Sequence, residues 1–99
     1  MPFSIIFSVA AAAAQLRRLE KDRGLAKRLK AVRKTIGRLE VDPRHPALQS
    51  HRFVSLSGPN GEEVFVSYAE QDTPAAYRVF WFYGPEKGQM TILAITRHP

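Results

Sequence analysis

The sequence predicts an α+β fold: a single small domain over residues 1–99, with an N-terminal strand and a helical hairpin packed on an antiparallel β-meander, in the order β-α-α-β-β-β-β. Three observations predict it. A short β-branched and aromatic run lies near the start, two stretches of helical periodicity follow, and the remainder alternates between strand-like runs and turn chemistry.

"FSIIFS" is the first strand. From Val9 the period changes, and Val9, Ala12, Ala13, Leu16 and Leu19 fall at helical spacing in an alanine-rich stretch. Gly24 interrupts it. Leu25, Leu29, Val32, Ile36 and Leu39 then make one apolar stripe with charges on the other positions. So short a link as "DRG" folds the two helices into an antiparallel hairpin. The second helix ends at "VDPRHP", where Pro43 and Pro46 force the residues before them out of helical geometry. "SHRFVSLSG", "EEVFVSYAE", "AYRVFWFYG" and "MTILAITRH" are the remaining strands. Asn60-Gly61 supplies positive φ angles for one hairpin turn, while "QDTPA" and "GPEKG" provide the other two breaks. Apolar residues at both parities of "YRVFWFY" predict a strand covered on both faces, by helices on one and by a loop, groove or partner on the other.

Composition narrows the function. A hydrophobic fraction of 44% and a charged fraction of 24% describe an ordinary globular chain. The absence of cysteine removes disulfides and thiolate metal sites and fits a reducing compartment. Although "MPFSIIFSVAAAAAQL" has the apolar stretch of a leader, no basic residues precede it, and no run approaches the roughly 20 apolar residues that span a bilayer. The chain is expected to be cytoplasmic, with no membrane contact. The net charge is +6, and basic residues concentrate between Arg17 and Arg38, opposed there only by Glu20 and Asp22. A solvated helical face accounts for any one of these side chains. Together they favour an anionic partner.

No metal or cofactor is expected: His45, His51 and His98 are widely spaced and have no carboxylate cluster beside them, and the glycine-rich turns lie in hairpins, not before helices. The remaining candidates are Arg78, the pair Arg97 and His98, and His45, His51 and Arg52. Arg78 is the one charge inside an apolar strand, with Glu63 and Glu70 the nearest carboxylates by topology. Metal-free RNA cleavage needs a group to take the 2′-hydroxyl proton, a group to protonate the departing 5′-oxygen, and a fixed cation on the phosphorane. Histidine suits the proton transfers and arginine the cation, so Arg78, His98 and His51 in one groove would suffice. For His45 and His51 a turn-capping or surface role is the simpler reading. Tyr68, Tyr77, Phe80, Trp81, Phe82 and Tyr83 could stack bases, although core packing explains most of them.

In the order of its motifs the chain resembles the RelE/ParE superfamily of toxins from toxin–antitoxin modules, and its RelE-like branch in particular. The resemblance rests on "FSIIFS", the basic helical hairpin, "PALQSHRFVSLSG", the strand Tyr77-Arg78-Val79-Phe80, and the last strand closing on "ITRHP". It implies a RelE-like fold, and a metal-independent mRNA endoribonuclease that acts on translated mRNA at the ribosome and is neutralised by a cognate antitoxin. It further implies phosphate stabilisation by Arg78 and proton transfer by His98, with Arg52, His51 and Arg97 binding nucleic acid. The antitoxin is expected to lie along the Arg17–Arg38 surface and the open face of the sheet. Many active members carry a tyrosine near the C-terminus, whereas no tyrosine follows Tyr83 here. That departure keeps a non-catalytic reading open, as a DNA gyrase inhibitor or an RNA- or protein-binding module. A basic structural protein of a larger ribonucleoprotein is the third reading.

Overall fold

The computed structural model describes residues 2–70 and 76–97. Its elements are β1 (Ser4–Phe7), α1 (Ala12–Lys21), α2 (Ala26–Val41), β2 (His51–Ser57), β3 (Glu63–Tyr68), β4 (Tyr77–Tyr83) and β5 (Gln89–Arg97), with single 3-10 turns at Arg23–Leu25 and Pro46–Leu48. The break at 71–75 lies outside the described residues.

The meander forms as the sequence predicts: β2, β3, β4 and β5 pair antiparallel in succession. β1 joins the same sheet beside β5, running parallel to it, and the spatial order is β1-β5-β4-β3-β2. The sheet is therefore mixed, and β4 is its central strand. Two helices between β1 and the meander provide the crossover that a parallel pairing needs.

The helical stripe decides which face is covered. Val32 and Leu39 of α2 and Ala12 and Leu19 of α1 are buried against Val79, Trp81, Met90, Ile92 and Ile95. Each buried leucine or valine contributes about 1.5–3 kcal/mol relative to an exposed one. Asp22 accepts a hydrogen bond from Gly24 N at 2.9 Å, closing the turn between the helices, and Glu20 pairs with Arg33 across them at 2.8 Å. Helix α1 starts later than its periodicity suggests. Val9 lies outside it and is 86% exposed, because Ser8 Oγ accepts from the amides of Ala11 and Ala12 and starts the helix there.

The opposite face carries a second, smaller core of Val64, Val66, Phe80 and Phe82, covered by Phe53, Leu93 and Ala94. Phe53 meets the Phe80 ring edge-on at 5.0 Å between centroids. So β4 is buried on both sides, as expected, and on this side the packing comes from side chains of the same sheet, Phe53 of β2 and Leu93 and Ala94 of β5. The turn before β3 uses positive φ only at Gly61, at 82°, and Asn60 stays on the negative side. The loop runs from Gly58 to Glu62, longer than a two-residue hairpin, with Glu62 Oε1 accepting from Asn60 N at 2.8 Å.

Candidate nucleic-acid site on the open face

Register determines which side chains share the face away from the helices. Arg78 stands opposite Tyr68 of β3 on one side and Thr96 of β5 on the other. Directly opposed residues project to the same face, with Cβ atoms about 4.5–5.5 Å apart. At the far edge, the His51 ring lies 5.8 Å from the Tyr68 ring, tilted by 32°. A polar row thus crosses four strands: His51, Tyr68, Arg78, Thr96.

Arg78 is the anchor of this row. Its guanidinium carbon lies 4.9 Å from the centre of the Phe80 ring, a cation–π contact on an aromatic already fixed by Phe53. Its Nε is buried and has no hydrogen-bond partner among the described residues. Neither glutamate near it by topology serves it: Glu70 is bound by Arg28 at 2.6 Å, and Glu63 lies 3.8 Å from Arg52. A half-buried guanidinium held over a ring, its Nε unpaired among the described residues, is suited to receive an oxyanion.

The structure brings His51 to this row and separates the other nominated cations from it. Arg52 stands opposite Phe65 and Arg97 opposite Tyr77, both at the parity that faces the helices. Both are exposed, and Arg97 borders a recess along α1 with Gln15, Arg18 and Tyr77. His45 caps the turn after α2, its Nδ1 accepting from Ala47 N at 3.0 Å, and lines a recess of about 380 Å³ with Phe65, Trp81 and Tyr83 that His51 also borders but Arg78 does not. His98 lies outside the described residues. Among the described residues no group of three His, Asp or Glu side chains could hold a metal ion.

The Nδ1 of His51 is 3.2 Å from the Gln49 carbonyl oxygen, which can only accept, so Nδ1 carries the proton and Nε2 presents a lone pair in the neutral ring. The backbone around it is also fixed. Ser50, just before His51, and Ser67, just before Tyr68, are bonded Oγ to Oγ at 2.6 Å, and Trp81 Nε1 donates to Ser67 at 2.8 Å. This chain on the helix-facing side sets the spacing of the two rings on the other. Sequence reasoning grouped Tyr68 only with stacking aromatics. Strand parity places Tyr68 on the face of Val64 and Val66, but its position opposite Arg78 is set by the β3–β4 register, which the sequence does not encode.

The basic helical surface is a separate feature. Arg17, Arg18, Lys21, Arg23, Lys27, Lys30, Arg33 and Lys34 are all exposed. No helix of the described residues is long and apolar enough to cross a membrane.

Comparison with known proteins rests on structure alone. No family model and no curated protein matches the sequence. The YoeB/ParE toxin from Agrobacterium tumefaciens superposes with a TM-score of 0.69 at 7% identity, over 97% of this chain and 99% of that one. YoeB from Staphylococcus aureus, solved as a dimer, gives a TM-score of 0.63 at 13% identity over 100% of both chains. At such identities the likeness is one of fold, shared with these YoeB and YoeB/ParE toxin structures.

Proposed function

We propose, on the basis of this RelE/ParE toxin fold, that the chain is the toxin of a toxin–antitoxin module and cuts translated mRNA without a metal ion. The observation that carries the reading is Arg78: a central-strand guanidinium over the Phe80 ring, its Nε without a partner among the described residues, while both nearby glutamates face other arginines. A phosphate supplies the missing partner and accounts for the desolvation of the cation. In this reading Arg78 stabilises the phosphorane and His98 takes part in proton transfer. His51 contacts the RNA beside Arg78, while the exposed Arg52 and Arg97 meet flanking phosphates around the sheet edges.

The reaction takes place in the cytoplasm, on mRNA held by the ribosome. A cognate antitoxin with an acidic segment neutralises the protein by covering the helical basic surface and the row around Arg78, where its carboxylates take the place of RNA phosphates. The proposal is tested by adding purified protein to translating ribosomes. Wild type cuts mRNA, and Arg78→Ala cuts about a hundredfold more slowly. Intact mRNA with wild-type protein refutes it.

The absence of any tyrosine after Tyr83 favours a second, non-catalytic reading, in which the same fold inhibits DNA gyrase. Inhibited supercoiling together with intact mRNA selects that reading.

A further inference from the structure

We propose that Tyr68 is the proton donor to the departing 5′-oxygen, an inference that rests on the endoribonuclease reading and names a residue of the same site. Tyr68 and Arg78 are direct cross-strand neighbours on the open face. A phosphate seated on the guanidinium therefore lies beside the phenol. Tyr68 is only partly exposed, and none of the hydrogen bonds among the described residues uses its hydroxyl. The His51 ring packs against the Tyr68 ring at 5.8 Å on the side away from Arg78.

The step balances with groups already named. The 2′-hydroxyl gives its proton to the imidazole of His98, the proton-transfer residue of the proposed reading, which later returns it to solvent, and the 2′-oxygen forms a bond to phosphorus. The bond from phosphorus to the 5′-oxygen breaks, and that oxygen takes the phenolic proton of Tyr68. The products are a 2′,3′-cyclic phosphate and a free 5′-hydroxyl. The phenolate left behind sits next to the Arg78 cation and regains its proton from solvent.

His51→Gln and Tyr68→Phe test different links of this arrangement. Tyr68→Phe keeps the ring that packs on His51 and removes only the acidic proton. The decisive substrate is an mRNA in which the cleaved linkage, first mapped on unmodified message, carries sulfur in place of the bridging 5′-oxygen. A thiolate leaves without being protonated, so loss of a general acid no longer matters.

On programmed ribosomes, Tyr68→Phe is expected to cut the ordinary linkage about a hundredfold more slowly than wild type. It should cut the sulfur-bridged linkage at nearly the wild-type rate. His51→Gln, which loosens the packing and leaves the phenol in place, is expected to slow both linkages equally. A Tyr68→Phe protein with the wild-type rate on the ordinary linkage overturns the assignment, and so does one equally slowed on both. Failure of the wild type to cut either message overturns the endoribonuclease reading itself.

Discussion

Gln15 of α1 reaches the sheet and accepts a hydrogen bond from the backbone amide of Ile95, at 2.6 Å. The amide needs that partner because β5 is irregular there: Phe80 pairs with Ala94 while Trp81 pairs with Ile92, so one extra residue is inserted. The exposed carbonyl of Leu93 is met by Ser8 Oγ at 3.2 Å. Two side chains from the β1–α1 corner thus satisfy the backbone groups that the bulge frees. Gln15→Leu is expected to lower stability by about 1–3 kcal/mol, the cost of stranding a partly buried amide. Gln15→Glu, which keeps the acceptor, should lose less. Urea midpoints of the two variants check this.

Ser67 offers a comparable test inside the core. It is fully buried and joins the Trp81 indole to Ser50. Ser67→Ala leaves the indole N–H without an acceptor and is expected to cost about 1–3 kcal/mol in chemical denaturation. Trp81→Phe in the same background removes the stranded donor, and the second substitution should cost less than it does alone.

The Arg28–Glu70 pair ties α2 to the end of β3 at 2.6 Å, with side chains 28% and 19% exposed. Glu70 Oε1 is buried and has no partner among the described residues. Arg28→Met should therefore destabilise more than Glu70→Gln, since it leaves a carboxylate in a confined place. A double-mutant cycle is expected to give a coupling of about 0.5–3 kcal/mol that changes little with added salt. Coupling that vanishes at high salt would mark the pair as a solvated surface contact.

Arg78→Lys separates charge from geometry. Lysine keeps the cation but lacks the planar fork that arginine places over the Phe80 ring. On the proposed endoribonuclease reading, cleavage of translated mRNA by Arg78→Lys is expected to stay closer to the Arg78→Ala level than to wild type, while both variants remain folded by circular dichroism. Full activity of the lysine variant would mean that charge alone serves.

Much of this architecture is legible in the sequence. The two apolar stripes of the hairpin, the antiparallel meander and the double cover of β4 follow from periodicity and turn residues, which report local structure directly. The position of Arg78 on a central strand follows too. Other features depend on pairings that sequence spacing does not encode. Alternation along "MTILAITR" puts Ile92 with Ala94 and Thr96, yet the bulge turns Ile92 to the helix side with Ile95, and both are buried there. The same dependence on register sends Arg52 and Arg97 to the parity opposite Arg78, and makes Tyr68 its neighbour. A site assembled across four strands is set by register. No single strand's composition reveals it.

The placement of β5 has a consequence for timing. It is the last strand in chain order, yet it lies between β1 and β4. While β5 is still being synthesised or is held in the ribosomal exit tunnel, β1 has no strand to pair with and Gln15 has no amide to bind. Arg78 then has Tyr68 on one side and nothing on the other. The long-range pairings must form together in one late step. The row His51, Tyr68, Arg78 and Thr96 is thus complete only once β5 has joined the sheet.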